Sequence, residues 1–428
     1  MKAIILAGGK GTRLQAVSKD MAKPLVPIAG KAVIDYCLEC CEQSNYIDTV
    51  YIVTHHFSEQ FEQHINQHNY NLTISCIKET KPLGTAGALH SVPLQPNENV
   101  VIFYGDIVCY FDVDNCIKFH YQKKAFATLV VHPNDHPHDS DIVIANDQQK
   151  ITAICSKPHD KNKFYPNCVN AGCYVLNTSI LQQISSSIPS DFGRDIFPQC
   201  VKEKTCFAYN TAEYLKDMGT PARLTQVEAD VISNKVVNNH RKNKRPTVFL
   251  DRDGVINIER SYITSPDMLE LYPFAAKAIA QLNQQGFLVI VITNQAAVAR
   301  NLITLTQLNS IHNKLETLLG QQGAFVDAIY FCPHHPHKGF EGENKMFKKD
   351  CECRKPKTGM IQQAMTDFNI DLQRSYLIGD SQRDIVCGKT AGVQTIGVQT
   401  GHGVKGDIKP DIMCSDILDA VRYIQQKT

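Results

Sequence analysis

The segment Lys2-Ala3-Ile4-Ile5-Leu6-Ala7-Gly8-Gly9-Lys10-Gly11-Thr12-Arg13-Leu14 decides how the chain reads. An apolar run ends abruptly in glycines, as a buried strand does when it delivers the backbone to a loop. The glycines let the main chain approach phosphate closely, and successive N–H groups can cradle an anion. Lys10 and Arg13 add positive charge. A dinucleotide fingerprint would need glycine where Leu14 stands, and a P-loop would need Ser or Thr where Gly11 follows Lys10.

Working outward, apolar runs recur at residues 50–54, 72–77, 100–104 and 127–131, with helix-like stretches between them. That alternation predicts an α/β domain with a mostly parallel sheet. Residues 233–245 turn polar and basic before Pro246. The break predicts a first domain over residues 1–235, a linker over 236–246 and a second domain over 247–428. The second part alternates in the same way, with strand-like runs at 247–250, 288–293, 328–331, 375–378 and 394–398.

A length of 428 residues exceeds one ordinary core, and 43% apolar with 20% charged residues excludes a disordered or coiled-coil chain. Lys+Arg (44) balances Asp+Glu (43), so no nucleic-acid or membrane surface is expected, and substrate charge must be met by local clusters. No apolar run reaches membrane-spanning length, and the opening run is too short for a signal-peptide core. A cytoplasmic protein is expected, its 16 cysteines thiols or metal ligands.

Lys23-Pro24-Leu25-Val26-Pro27, Gly84-Thr85-Ala86-Gly87, Tyr104-Gly105-Asp106, Ser156-Lys157-Pro158, Asn170-Ala171-Gly172 and Asp217-Met218-Gly219-Thr220-Pro221 follow the glycine loop in that order. As a set they resemble the sugar-1-phosphate nucleotidylyltransferases. The resemblance implies that Leu6, Ala7, Gly8, Gly9, Gly11, Thr12 and Arg13 bind a nucleoside triphosphate, with Arg13 and Lys23 neutralising its phosphates. Gly84, Thr85, Ala86 and Gly87 would lie against the base, and Asp106 and Asp217 would hold Mg²⁺. Lys157 would hold the incoming sugar phosphate, and Asn170 and Gly172 the sugar. Ser156 departs from the glutamate usual there.

In the second part, the run Val248-Phe249-Leu250 opens into Asp251-Arg252-Asp253-Gly254. Two carboxylates so placed suit a nucleophile and a proton shuttle beside a cation. With Thr293-Asn294-Gln295, Arg354-Lys355-Pro356 and Gly379-Asp380-Ser381, this order resembles the haloacid dehalogenase superfamily of phosphatases. The resemblance implies that Asp251 attacks phosphorus and Asp253 moves the proton. Thr293 and Lys355 would bind the phosphoryl group. Asp251, Asp380 and the Asp253 carbonyl would hold Mg²⁺, with Asp384 supporting that site.

Cys332-Pro333-His334 and Cys351-Glu352-Cys353 supply the ligand set of a closed structural Zn²⁺ site, Cys332, His334, Cys351 and Cys353, which would pin the loop between them. Together with Ala299-Arg300, these blocks narrow the resemblance to heptose 1,7-bisphosphate phosphatases and the related histidinol phosphatases. That resemblance implies substrate contacts from Glu259, Arg260, Ser261, Tyr262, Asn294, Gln295, Arg300 and Arg354. Ala296-Ala297 and Asn301 depart from the Ser-Gly and Gly usual there.

The fold implied is α/β throughout: a Rossmann-like nucleotidyltransferase domain, then a doubly wound haloacid dehalogenase-like domain with a zinc-stapled loop. The function implied is bifunctional. One half removes the 7-phosphate of a heptose bisphosphate. The other joins the heptose 1-phosphate to a nucleotide, GTP favoured. The competing expectation is a hexose 1-phosphate nucleotidylyltransferase fused to a phosphatase of other specificity, such as histidinol phosphate.

Overall fold

The computed structural model describes residues 1–9, 21–339 and 341–427. It divides into two compact units. Met1–His132, Ser140–Lys157 and Cys168–His240 form the first. Pro133–Asp139, Pro158–Asn167 and Arg241–Thr428 form the second. Lys10, Gly11, Thr12 and Arg13 of the expected triphosphate loop lie outside the described residues. Among the described residues no helix is long and apolar enough to cross a membrane.

In the first unit the chain runs β1 (Lys2–Leu6), α1 (Val33–Glu42), β2 (Thr49–Thr54), α2 (Ser58–Asn66), β3 (Thr73–Lys78), β4 (Asn99–Tyr104) and β5 (Ile107–Tyr110). It continues with β6 (Ala127–His132), β7 (Ile142–Ala145), β8 (Ile151–Cys155), β9 (Val169–Asn177), β10 (Cys206–Asn210) and β11 (Tyr214–Asp217). Among the described residues nine strands form one sheet in the order β8-β7-β9-β4-β1-β2-β3, with β6 pairing β9 and β10. β5 and β11 form a separate antiparallel ribbon.

β1 sits between two parallel neighbours, so Ala3, Ile4 and Ile5 are wholly buried and the strand reads as a continuous apolar run. The sheet is mixed, not mostly parallel as expected: β9 runs antiparallel to β4, β6 and β7. β9 is buried along nearly its whole length, and such a run carries no record of its direction.

The second unit runs β12 (Thr247–Leu250), α3 (Ala275–Gln284), β13 (Leu288–Asn294), α4 (Leu305–Gly320), β14 (Ala328–Cys332), β15 (Tyr376–Gly379), α5 (Gln382–Ala391), β16 (Gln394–Val398), β17 (Ile412–Cys414) and α6 (Ile417–Gln425). The sheet order is β14-β13-β12-β15-β16-β17, parallel throughout. Helices such as α6 bury one stripe, Ile417, Ala420, Val421 and Ile424, at the spacing a helical face requires. α4 opens on a capping box between Thr304 and Gln307. The strand order reverses between β12 and β15, so the crevice at a topological switch point opens beyond Leu250 and Gly379. Asp251 and Asp380 are the next residues after those strands.

Candidate active sites

In the second unit β12 and β15 end side by side, and the Asp251 N–H donates to Ile378 O at 3.0 Å. Gly254 has φ +79, and a Cβ there would run into the Asp380 carboxylate and within 3.1 Å of Gly401 Cα. Only glycine lets this loop turn so close to Asp380.

Lys355 is buried with its ammonium 3.0 Å from Asp251 Oδ2, 2.6 Å from Asp384 Oδ1 and 2.7 Å from Ile292 O. Burial, and then the charges of Asp384, Asp380 and Asp253, hold the Asp251 carboxyl well above the usual carboxylate range against the pull of Lys355. Burial likewise pushes Asp380 up to about 6. Asp251, Asp380 and Asp384 bring ligand oxygens within 4.8 Å of one another. Three carboxylates around one ammonium carry excess negative charge, and this donor set fits a hard divalent cation.

Asp253 turns its carboxylate the other way. The buried Arg252 grips it at 2.9 Å, Asn257 Nδ2 donates to it at 2.9 Å and Gln295 Nε2 at 2.8 Å. Burial alone would raise its pKa, but these partners hold it below the usual range. Gln295 also bonds Thr293 Oγ1 at 2.9 Å, so the expected phosphate-binding hydroxyl and the proton shuttle share one orienting amide. Asn294 exchanges two 3.0 Å bonds with the Lys355 main chain and so sets where Lys355 stands.

The remaining expected contacts divide. Tyr262 lies under the Arg300 guanidinium at 5.1 Å, and Glu259 joins His402 beside Asp380. Arg260 instead pairs with the exposed Glu270 at 2.6 Å, and Ser261 serves as a turn residue with φ +61. His402, whose N–H donates to Asp380 Oδ2 at 2.7 Å, had no motif to mark it.

Cys332, His334, Cys351 and Cys353 converge as expected. Cys332 Sγ is 3.5 Å from Cys351 Sγ and 3.8 Å from His334 Nδ1; Cys353 Sγ is 3.4 Å from His334 Nδ1 and 3.3 Å from Cys351 Sγ. Ligands about 2.0–2.3 Å from one tetrahedral ion stand at such separations. Hydrogen bonds from its neighbours pull the Cys353 thiol down to about 5. Arg354 follows directly and donates to His334 O at 3.1 Å, which ties the cluster to the active-site cations.

In the first unit the Gly105 N–H donates to Leu6 O at 3.0 Å, setting Asp106 beside the end of β1. The β5–β11 register pairs Asp217 with Ile107, which brings Asp217 to the same end of the ribbon as Asp106. Lys23 Nζ reaches Asp106 Oδ2 at 2.5 Å. Gly8 adjoins Glu79, whose buried carboxyl is raised by desolvation. Ala7 is fixed by Val53 O at 2.8 Å, and a Cβ added at Gly9 would meet open space.

Gly172, at φ +70, abuts the Tyr104 ring, and a Cβ there would lie 3.1 Å from it. Asn170 and Lys157 both bond Asp141, through their N–H groups at 2.9 and 3.3 Å. Gly84–Gly87 forms a helical turn against Ser190, and Thr85 Oγ1 donates to Asp191 at 2.7 Å. The small residues there meet a packing demand: a Cβ on Gly87 would stand 2.7 Å from Leu83 Cβ. Glu79, Asp141, Asp191 and Arg223, which grips Asp217 at 3.0 Å, went unforeseen because each is a lone polar residue outside a motif.

The two folds and their sites define an enzyme of two activities, a nucleotidyltransferase joined to a phosphatase of the haloacid dehalogenase type. The profile described as nucleotidyl transferase matches residues 2–234, and one described as HAD-hydrolase-like matches residues 352–420. The chain therefore belongs to the nucleotidyl transferase family through its first half and, through its second, to the family of the D-glycero-beta-D-manno-heptose-1,7-bisphosphate 7-phosphatases.

Among those relatives, the Haemophilus ducreyi protein is 37% identical over 184 residues, covering 42% of this chain and 98% of its own. The Yersinia pestis protein is 34% identical over 185 residues, covering 42% and 96%. Among solved structures, D,D-heptose 1,7-bisphosphate phosphatase from B. bronchiseptica, complexed with magnesium and phosphate, is 34% identical over 43% of this chain and 99% of its own, with a TM-score of 0.38. HddC from Yersinia pseudotuberculosis is 22% identical over 54% and 99%, with a TM-score of 0.46.

Proposed function

We propose that the second unit removes the 7-phosphate of D-glycero-D-manno-heptose 1,7-bisphosphate and that the first converts the remaining heptose 1-phosphate and a nucleoside triphosphate, GTP favoured, into NDP-heptose and pyrophosphate. The observation that carries the reading is Asp251, set among Lys355, Asp380 and Asp384 at the crevice of a sheet whose relatives bear that phosphatase name. The choice of GTP rests on the resemblance to the sugar-1-phosphate nucleotidylyltransferases, the type to which heptose guanylyltransferases belong.

As the carboxylate, which bound Mg²⁺ would favour against the burial that raises its pKa at rest, Asp251 attacks the 7-phosphorus in line as the bond to the sugar oxygen breaks, and Asp253 gives that oxygen its proton. The incoming phosphate adds negative charge beside Asp253 and raises its proton affinity, against the Arg252 grip seen at rest. In the second half Asp253 takes a proton from water, whose oxygen displaces Asp251 and releases inorganic phosphate. Thr293 and Lys355 hold the transferring group. Asp251, Asp380 and the Asp253 carbonyl would hold Mg²⁺, which supplies charge neutralisation when bound.

In the first unit the sugar phosphate oxygen attacks the α-phosphorus and pyrophosphate leaves. Lys23 neutralises phosphate charge, Asp106 and Asp217 would hold Mg²⁺, and Lys157, Asn170 and Gly172 position the sugar phosphate. Cys332, His334, Cys351 and Cys353 would hold a structural Zn²⁺ that fixes Arg354 and Lys355.

The test is a screen of the four common triphosphates against both anomers of heptose 1-phosphate and against mannose 1-phosphate, reading pyrophosphate. Fastest turnover of GTP with one heptose anomer is expected. Turnover of mannose 1-phosphate alone would move the reading to a hexose.

A further inference from the structure

We propose that the nucleotidyltransferase unit carries a transition-metal site built from Asp35, His64 and His68, distinct from both magnesium sites and from the cysteine cluster. Asp35 lies on α1 and His64 on α2. The His68 N–H bonds Ile65 O at 3.2 Å, so the helical turn continues past Asn66 and sets the two imidazoles four residues apart on one face. His64 Nε2 stands 2.7 Å from Asp35 Oδ1, and one ligand atom from each of the three residues lies within 4.8 Å of the others. Two imidazoles and a carboxylate are the donor set of Zn²⁺, Co²⁺ or Ni²⁺.

The groups behind the ligands fit the same reading. His68 Nδ1 lies 2.8 Å from His64 O. A carbonyl only accepts, so Nδ1 carries the proton and the neutral ring presents Nε2 as a lone pair. Tyr70 OH donates to Asp35 Oδ1 at 3.2 Å and orients the carboxylate. Asp35 and His64 are mostly shielded, with side-chain exposures of 13% and 17%, while His68 is exposed. An ion would enter from the His68 side and join α2 to α1, with His64 binding through Nε2 as the neutral ring whose one proton sits on Nδ1.

The reading stands apart from the two catalytic functions and is tested without them. Co²⁺ is dialysed in millimolar Mg²⁺ against the full chain with its cysteine cluster already loaded with Zn²⁺, and bound cobalt and absorption are measured. Cobalt at a thiolate set gives intense near-ultraviolet charge transfer, whereas nitrogen and oxygen ligands give only weak visible bands. The expected result is one Co²⁺ per chain with the weak bands alone, lost in H68A and weakened about 10- to 100-fold in Y70F, with both enzymatic activities kept. Equal uptake by H68A and the unmodified chain would overturn the proposal, as would uptake confined to the thiolate signature. Either outcome would leave Asp35 and His64 as a hydrogen-bonded pair only.

Discussion

Lys355 is where charge balance and chemistry meet. Its ammonium touches Asp251 and Asp384 in a site that water hardly reaches. Lys355→Met strands the buried Asp384 and the half-buried Asp251, and breaking such a pair costs about 3–5 kcal/mol. Denaturant unfolding of the second unit should show a loss of that order together with loss of phosphate release; unchanged unfolding would mean that the carboxylates are balanced from elsewhere. Lys23→Met should do the reverse in function. Pyrophosphate release should fall by at least tenfold with phosphate release intact, since Lys23 faces Asp106 in the other unit. Equal loss of both activities would show unfolding instead.

At the scale of elements, α4 carries a titration. Glu316 is raised from 4.5 to about 7, chiefly by burial, although the Asn167 N–H favours its charged form. The folded pKa lies above the unfolded one. The protonated group's contribution is therefore whole below about pH 4.5 and is lost as the pH rises through 7. Glu316→Gln should flatten that fall, gaining stability relative to the parent at pH 8 and little at pH 4, as read by thermal unfolding at both values. The cysteine loop is a second element with its own test. Cys351→Ser should release zinc, lower the melting temperature of the second unit and reduce phosphate release through Arg354 and Lys355, with nucleotidyl transfer unchanged. Retained zinc and full phosphatase activity would contradict the staple.

These elements also show what the sequence could disclose. The strand-like runs lie within a residue or two of the observed strands because continuous apolar stretches mark buried strands directly. β9 itself lay outside the predicted runs, since Asn170 and Gly172 interrupt its apolar pattern, and its burial on both faces leaves no record of its direction. Pro133–Asp139 and Pro158–Asn167 lie early in the chain yet belong to the second unit. Tyr165 exchanges hydrogen bonds of 2.9 and 3.2 Å with Thr317, a pairing no local pattern records. The same division holds at the sites. Asp251, Lys355 and the cysteine quartet stand in dense motifs, whereas His402, Asp141 and Arg223 acquire meaning only from what the fold sets beside them.

For the whole molecule, the claim is that one chain carries out two consecutive steps, with the product of the second unit serving as substrate of the first. The most direct measurement supplies heptose 1,7-bisphosphate, GTP and Mg²⁺ to the purified chain and follows phosphate, pyrophosphate and the nucleotide sugar together. The account predicts all three from the unmodified protein; Asp251→Asn should yield none of them from the bisphosphate yet still form nucleotide sugar from heptose 1-phosphate. Phosphate release by Asp251→Asn at the parent rate, or no nucleotide sugar from heptose 1-phosphate with any triphosphate, would contradict it.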